Sequence, residues 1–259
     1  MSILKTFILK IYRGVPNNQY WEEFEVPLTP GLNIISALLH VQKYPVTREK
    51  KTVTPVAWEQ GCLEEVCGSC SMLINSRPRQ ACSALIENLL LTSAHNTITL
   101  APLSKFPLIR DLVTDRTSMF ENLKKVRAWI DVDESRDVGA GPKMSPELQE
   151  ALYQLSTCMT CGCCTEACPQ VSIKSKFMGP AAISQARLFN AHPTGKLTAQ
   201  ERLRPLMEEG GVADCGNAQN CVKVCPKNIP LTESIALIGR ETTRQAIRDF
   251  TSLPDAKES

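Results

Sequence analysis

Polar and apolar residues alternate along the first stretch of the chain. Between Thr6 and Arg13, Phe7, Leu9 and Ile11 fall on one face, the two-residue period of a half-buried strand. Trp21–Leu28 alternates again, with Phe24, Val26 and Leu28 opposite Glu23 and Glu25. Asn17 and Asn18 stand between the two runs, so the spacing predicts a hairpin. Pro30-Gly31 ends the second strand, and Asn33–Gln42 carries Ile34, Leu38 and Val41 at helical spacing. Short strands are expected at Ser71–Asn75 and Thr97–Ala101.

From about Leu108 the period lengthens to that of helices. Thr117–Ile130 places Met119, Phe120, Leu123, Val126 and Ile130 on one helical stripe. Asp131–Pro142, with Gly139 and Gly141, reads as a linker or exposed loop. Ser145 opens a helix through Leu148 and Leu152, and further helices are expected at Ala181–Asn190, Thr198–Glu209 and Thr232–Phe250. The change of period puts a domain boundary near residue 105. A β-rich domain of residues 1–105 and an all-helical one of residues 106–259 make an α+β protein.

Composition narrows the function. The 259 residues suffice for two domains, and 43% hydrophobic with 22% charged residues is ordinary for a globular chain. A net charge of +2 gives no case for nucleic acid. Three scattered histidines suggest no histidine metal site. Met1–Tyr12 lacks the apolar core of a signal peptide. Apolar runs such as Ala37–Leu39 and Leu89–Leu91 fall far short of the ~20 residues of a spanning helix. The twelve cysteines are the outlier. They fall in three tight groups separated by long cysteine-free stretches, which points to metal ligation rather than a disulfide framework.

The first group, Cys62, Cys67, Cys70 and Cys82, has the C-x4-C-x2-C…C spacing of plant-type ferredoxins and predicts a [2Fe–2S] cluster. Gly61 and Gly68 suit a loop that must turn its amides inward and approach the cluster closely. A structural zinc ion is the bland alternative, but zinc ribbons pair two short knuckles, whereas this loop holds three thiols in nine residues.

The second group, Cys158, Cys161, Cys164 and Cys168-Pro169, is the C-x2-C-x2-C-x3-C-P run in which the fourth cysteine serves a partner cluster. The third group, Cys215, Cys221 and Cys225-Pro226, repeats the pattern with Ala218 where the second ligand would stand. Crossing the fourth cysteines assigns Cys158, Cys161, Cys164 and Cys225 to a [4Fe–4S] cluster. Cys168, Cys215 and Cys221 are left to a site with an empty corner at Ala218, where [3Fe–4S] is expected. Cys163 is left over and reads as a buried free thiol.

These motifs, with Lys176-Phe177-Met178-Gly179-Pro180, make the chain similar over nearly its whole length to the iron–sulfur subunits of succinate dehydrogenase and fumarate reductase. The resemblance implies a β-grasp [2Fe–2S] domain joined to a helical bacterial-ferredoxin-like domain. It implies electron transfer from a flavoprotein that oxidises succinate on FAD, through the three clusters, to a membrane anchor carrying haem b and quinone. The dicarboxylate chemistry then belongs to the partner, and the chain sits peripherally on the cytoplasmic face of the cell membrane. The tract from Lys174 to Pro230, including Asn190–Gly195, resembles enzymes that use menaquinone with a di-haem anchor. Ubiquinone-reducing members place histidine directly after the first [3Fe–4S] ligand and tryptophan soon after the Cys-Pro. This chain has Gly216 there and no tryptophan in Pro169–Phe177, which points to electrons passing directly to haem. Fumarate reduction uses the same relay in reverse.

Other residues carry bland readings. His192 precedes Pro193 in a loop and reads as structural or exposed; Arg77 and Arg79 read as solvated arginines in a turn; Trp21, Trp58 and Trp129 read as core or interface packing. Two other function classes compete. Subunits serving glycolate or glycerol-phosphate oxidases or heterodisulfide reductases commonly carry two bacterial-type runs without the plant-type domain, so Cys62–Cys82 argues against them. A zinc-stabilised interaction protein would contain zinc without stoichiometric iron and sulfide.

Overall fold

The structure, a computed structural model, describes residues 6–131 and 142–251. They divide into two compact units. The first takes the chain up to Arg116 together with Met159–Ala167 and Val224–Pro226; the second takes Thr117–Cys158, Cys168–Lys223 and the chain from Lys227 onward.

In the first unit, β1 (Thr6–Val15) and β2 (Asn18–Pro27) form the expected antiparallel hairpin, in register from Thr6↔Pro27 to Val15↔Asn18. Asn17 takes the left-handed backbone (φ 65°) in the tight turn, a conformation asparagine tolerates better than most residues. Three further strands, β3 (Ser71–Ile74), β4 (Arg77–Gln80) and β5 (Thr97–Ala101), complete a sheet ordered β2-β1-β5-β3-β4. β1 and β5 run parallel and the other pairs antiparallel. Helix α1 (Ile34–Lys43) buries Ile34, Ile35, Ala37, Leu38 and Val41 in the core that Phe7, Leu9, Ile11, Phe24 and Ile98 build on the sheet. This is the β-grasp arrangement.

The hairpin joining β3 to β4 has Asn75 and Ser76 both at positive φ (48° and 63°), the twist-matched geometry of a two-residue loop. Arg77 and Arg79 therefore lie in a strand and not in a turn. Their segment, Arg-Pro-Arg-Gln, shows no apolar alternation to reveal it. Helix α2 (Ile86–Leu90) and a small ribbon of β6 (Leu108–Arg110) and β7 (Val113–Thr114) complete the main run.

The inward face of β1 continues past Ile11 to Arg13, which is 1% exposed. A buried guanidinium must be paired, and Asp111 and Glu22 supply its carboxylates. Asp111 also accepts the backbone N–H of Gly14 (2.8 Å) and of Ala57 (2.8 Å), one on each oxygen. Replacing Asp111 by Ala strands two amides and half of the guanidinium's neutralisation. The expected loss is about 3 kcal/mol, read as a lowered urea midpoint with an unchanged slope.

In the second unit, α3 (Thr117–Lys125), α4 (Pro146–Ser156), α6 (Pro180–Ala191), α7 (Ala199–Met207) and α9 (Leu231–Thr251) gather around Val126, Ile183, Ala186, Leu206 and Ile238; α5 (Cys163–Ala167) belongs to the first unit, and the short α8 (Asn220–Val224) carries Cys221. Ser145 caps α4 by accepting the Leu148 N–H (3.2 Å), with Pro146 in the first turn. α6 presents Ala182 and Ala186 to the core, small enough for close approach by α9.

The expected helix over Thr117–Ile130 ends at Lys125 instead. Arg127 turns to φ 44°, and the fully buried Arg202 captures the carbonyls released. Its guanidinium donates to Arg127 O (2.9 Å), Trp129 O (2.6 Å) and Gly195 O (2.7 Å). The apolar stripe thus splits, with Met119 and Val126 buried and Phe120 exposed. The stretch read as a linker, Asp131–Pro142, lies outside the described residues except at its ends. No helix among the described residues is long and apolar enough to cross a membrane.

Candidate iron–sulfur sites

The loop between α1 and β3 carries Cys62, Cys67 and Cys70, and Cys82 follows β4. Asn33 helps fix this geometry: its side chain caps α1 by accepting the Ser36 N–H (2.9 Å) and donates to Cys82 O (2.9 Å). Leu63 and Glu65 adopt left-handed backbone (φ 64° and 55°). The turn they make aims the amides of Glu64, Val66 and Cys67 at Cys62 Sγ, at 3.3–3.4 Å. Cys67 Sγ accepts the Cys62 N–H in return (3.3 Å). The Ser69 hydroxyl, then backbone N–H groups, draw the Cys67 thiol down to about 6. Cys70 is the opposite case, pushed up to about 11 by burial while it shares a hydrogen bond with Cys82. The four sulfurs therefore fall into two hydrogen-bonded pairs, Cys62 with Cys67 and Cys70 with Cys82. Amides directed at sulfur offset the negative charge of an iron–sulfur core.

The two glycines of the loop meet close approaches. A Cβ on Gly61 would lie 2.8 Å from Cys67 Sγ. Gly68 has φ +74°, and its Cβ would lie 2.8 Å from Cys161 Cα. Gly68 O also accepts from Arg116 (2.7 Å) and from the Ser71 hydroxyl (2.7 Å). The variant Gly68→Ala combines left-handed strain with a backbone collision that no rotamer relieves. A loss of about 2–3 kcal/mol is expected, seen as a lower melting temperature and a less stable first cluster.

The second cysteine group is divided between the units. Cys161 and Cys164 are in the first unit, as is Cys225; Cys158 and Cys168 are in the second. The Met159–Ala167 segment is held by Glu166, whose buried carboxylate accepts from Ser104 N (3.0 Å), Ser104 Oγ (2.6 Å) and Lys105 N (3.0 Å). Cys163 is completely buried. Its thiol hydrogen-bonds Cys161, which brings Cys161 down to about 7 against the effect of burial and drives Cys163 itself strongly upward.

Cys168, Cys215 and Cys221 line one cavity in the second unit, with Phe177, Pro180 and Ile235 on its apolar side. Burial raises the Cys221 thiol, and the neighbouring Cys168 and Cys215 add to the effect. Ala218 lines the same cavity on a loop where Asn217 and Gln219 both have positive φ (51° and 60°). Space beside Gly216 is taken by Gln170, whose amide nitrogen a Cβ would meet at 2.2 Å.

The remaining candidates separate. His192 Nδ1 accepts the Thr194 N–H (3.2 Å) at the end of α6, a structural role. Trp58 packs against the first core. Trp21 and Trp129 are instead 47% and 41% exposed; Trp21 packs tilted against Tyr12 and Trp129 donates to Asp131. Asn33, Gln80, Arg116 and Glu166 support the cysteine loops without belonging to any cysteine motif, so their spacing carried no signal.

Comparison with known proteins agrees with this geometry. Residues 8–121 match the "2Fe-2S iron-sulfur cluster binding domain" and residues 154–229 match the "4Fe-4S dicluster domain". The chain is 54% identical, over 96% of its length and 98% of the relative's, to the succinate dehydrogenase iron–sulfur subunit of Bacillus subtilis (strain 168). It is 29% identical to the fumarate reductase iron–sulfur subunit of Wolinella succinogenes, over 86% of this chain and 89% of that one. A solved chain of the "Mycobacterium smegmatis Sdh1 complex in the apo form" shares the fold, with a TM-score of 0.77 at 24% identity over 97% of this chain and 100% of that one. With sheet, helical unit and cysteine loops all in place, the chain belongs to the succinate dehydrogenase iron–sulfur subunits.

Proposed function

We propose that the chain relays electrons from FAD in a flavoprotein partner, through [2Fe–2S], [4Fe–4S] and [3Fe–4S] centres, to haem b and menaquinone in a membrane anchor. The observation that carries this reading is the cavity where Cys168 meets Cys215 and Cys221 beside Ala218. Three thiols and a methyl group suit a cluster with one iron fewer. Cys225 lies with the unit that holds Cys161 and Cys164, which supports the crossed assignment for three of its four ligands; Cys158 belongs to the other unit.

Clusters of this kind accept and release single electrons. The protein's own task is to hold the sulfurs, exclude water and set the charge around them. Cys62, Cys67, Cys70 and Cys82 hold the first cluster, with inward amides lowering the cost of its negative charge. Cys158, Cys161, Cys164 and Cys225 hold the second. Cys168, Cys215 and Cys221 hold the third, where fewer thiolates raise the potential and make it the natural exit toward a mild acceptor. Succinate dehydrogenase is favoured over fumarate reductase by the 54% identity to the Bacillus subtilis subunit, against 29% to the Wolinella succinogenes one.

The test is purification of the intact membrane complex, with iron and acid-labile sulfide analysis, haem and quinone identification, and EPR of the oxidised and reduced states. Three distinct cluster signals are expected, the [3Fe–4S] signal in the oxidised state. Zinc without stoichiometric iron and sulfide would overturn the proposal.

A further inference from the structure

Gln80, the last residue of β4, is fully buried and stands between the two cysteine loops of the first unit. One end of its carboxamide meets Cys70 Sγ (3.4 Å); the other meets Ser71 Oγ (2.8 Å) and Cys163 Sγ (3.7 Å). Cys163 in turn hydrogen-bonds Cys161. A polar side chain without solvent, touching sulfurs of both loops, is an expensive feature unless each of its groups is used.

With free thiols, Cys70 donates its proton to Gln80 Oε1. A cysteine that holds iron has no proton and only accepts. The carboxamide is nearly symmetric in shape, so turning it end for end places the NH2 at Cys70 without moving a heavy atom appreciably. Oε1 then faces Ser71 and Cys163. The Ser71 hydroxyl can turn its proton from Gly68 O to Oε1, because Gly68 O retains the guanidinium of Arg116 (2.7 Å). Cys163 keeps its single proton on Cys161, so Oε1 takes its hydrogen bond from the Ser71 hydroxyl while an N–H of the carboxamide meets Cys70.

We infer that Gln80 is a positioning and tuning residue for the relay, its carboxamide donating a hydrogen bond to the Cys70 sulfur and so raising the potential of the [2Fe–2S] cluster. The physical reason is that reduction adds negative charge, and a donor aimed at a ligand sulfur stabilises the reduced state more than the oxidised one. The inference rests on Cys70 being a [2Fe–2S] ligand, as proposed above.

The test is a redox titration, followed by EPR, of the purified complex carrying Gln80→Leu, beside wild type. The expected result is a fall in the [2Fe–2S] midpoint equivalent to roughly a tenfold change in electron occupancy, ~59 mV for one electron. The [3Fe–4S] midpoint should stay where it is. An unmoved [2Fe–2S] midpoint, or an equal shift of both centres, overturns the inference. If the leucine variant fails to assemble its cluster, Gln80→Met keeps the unbranched shape without the donor and is held to the same two outcomes. A wild-type complex with no [2Fe–2S] signal would instead overturn the ligand assignment itself.

Discussion

Replacing Cys225 by Ala is expected to abolish the [4Fe–4S] signal while leaving the [3Fe–4S] signal intact, and Cys168→Ala is expected to do the reverse. Adjacency in sequence argues for the opposite outcome, since Cys225 follows Cys221 and Cys168 follows Cys164. The crossed result is what the proposed ligand assignment predicts; the division of the chain supports it at Cys225, though it leaves Cys158 in the unit of Cys168. Val224–Pro226 joins the unit that holds Cys161 and Cys164, while Cys168 lines the cavity of Cys215 and Cys221. Losing support around a metal costs 10–100-fold in affinity or activity, and losing a ligand costs at least the upper end of that range. Succinate-to-quinone turnover should therefore fall about 100-fold or more in either variant. Succinate oxidation assayed with an artificial dye at the flavoprotein should largely survive. If Cys225→Ala removed the [3Fe–4S] signal and spared the [4Fe–4S] signal, the crossed assignment would be wrong.

The second large effect concerns Ala218. A cysteine at this position would put a fourth thiol on the cavity of Cys168, Cys215 and Cys221. Ala218 itself has no positive φ, unlike its two neighbours, so the exchange imposes no backbone strain. Ala218→Cys should replace the oxidised-state [3Fe–4S] EPR signal with a [4Fe–4S] signal seen on reduction. The added thiolate lowers the potential of the centre, and each ~59 mV lost costs tenfold in its occupancy by one electron. Quinone reduction should slow by about tenfold or more, with the other two clusters unchanged. An unaltered oxidised-state signal in a variant with normal iron content would show that position 218 does not face the cluster.

The β-domain was readable because one face of each long strand is apolar: Phe7, Leu9 and Ile11 recur at the two-residue period and are all buried. β4 was not readable, because Arg-Pro-Arg-Gln earns its place through pairing with β3 and through Gln80, not through an apolar stripe. The end of α3 was hidden for a similar reason. Met119 and Val126 keep the helical period, but Arg202, 75 residues further on, takes the carbonyl of Arg127 and closes the helix early. Hydrophobic period reports only on the face a segment turns to the core. It is blind to a distant donor that competes for the backbone.

The cysteine spacings alone point to three cluster loops and propose a missing ligand at Ala218, because a thiolate ligand set is imposed by the cofactor's dimensions and must be written into the chain at short range. The tertiary structure alone decides what surrounds those sulfurs. It turns the Glu64, Val66 and Cys67 amides toward Cys62, packs Gly68 onto Cys161, and seals Gln80 between Cys70 and Cys163. Those contacts join residues as much as 93 positions apart in the case of Gly68 and Cys161. Local sequence has no term for the charge, burial or hydrogen bonding that one loop creates at another.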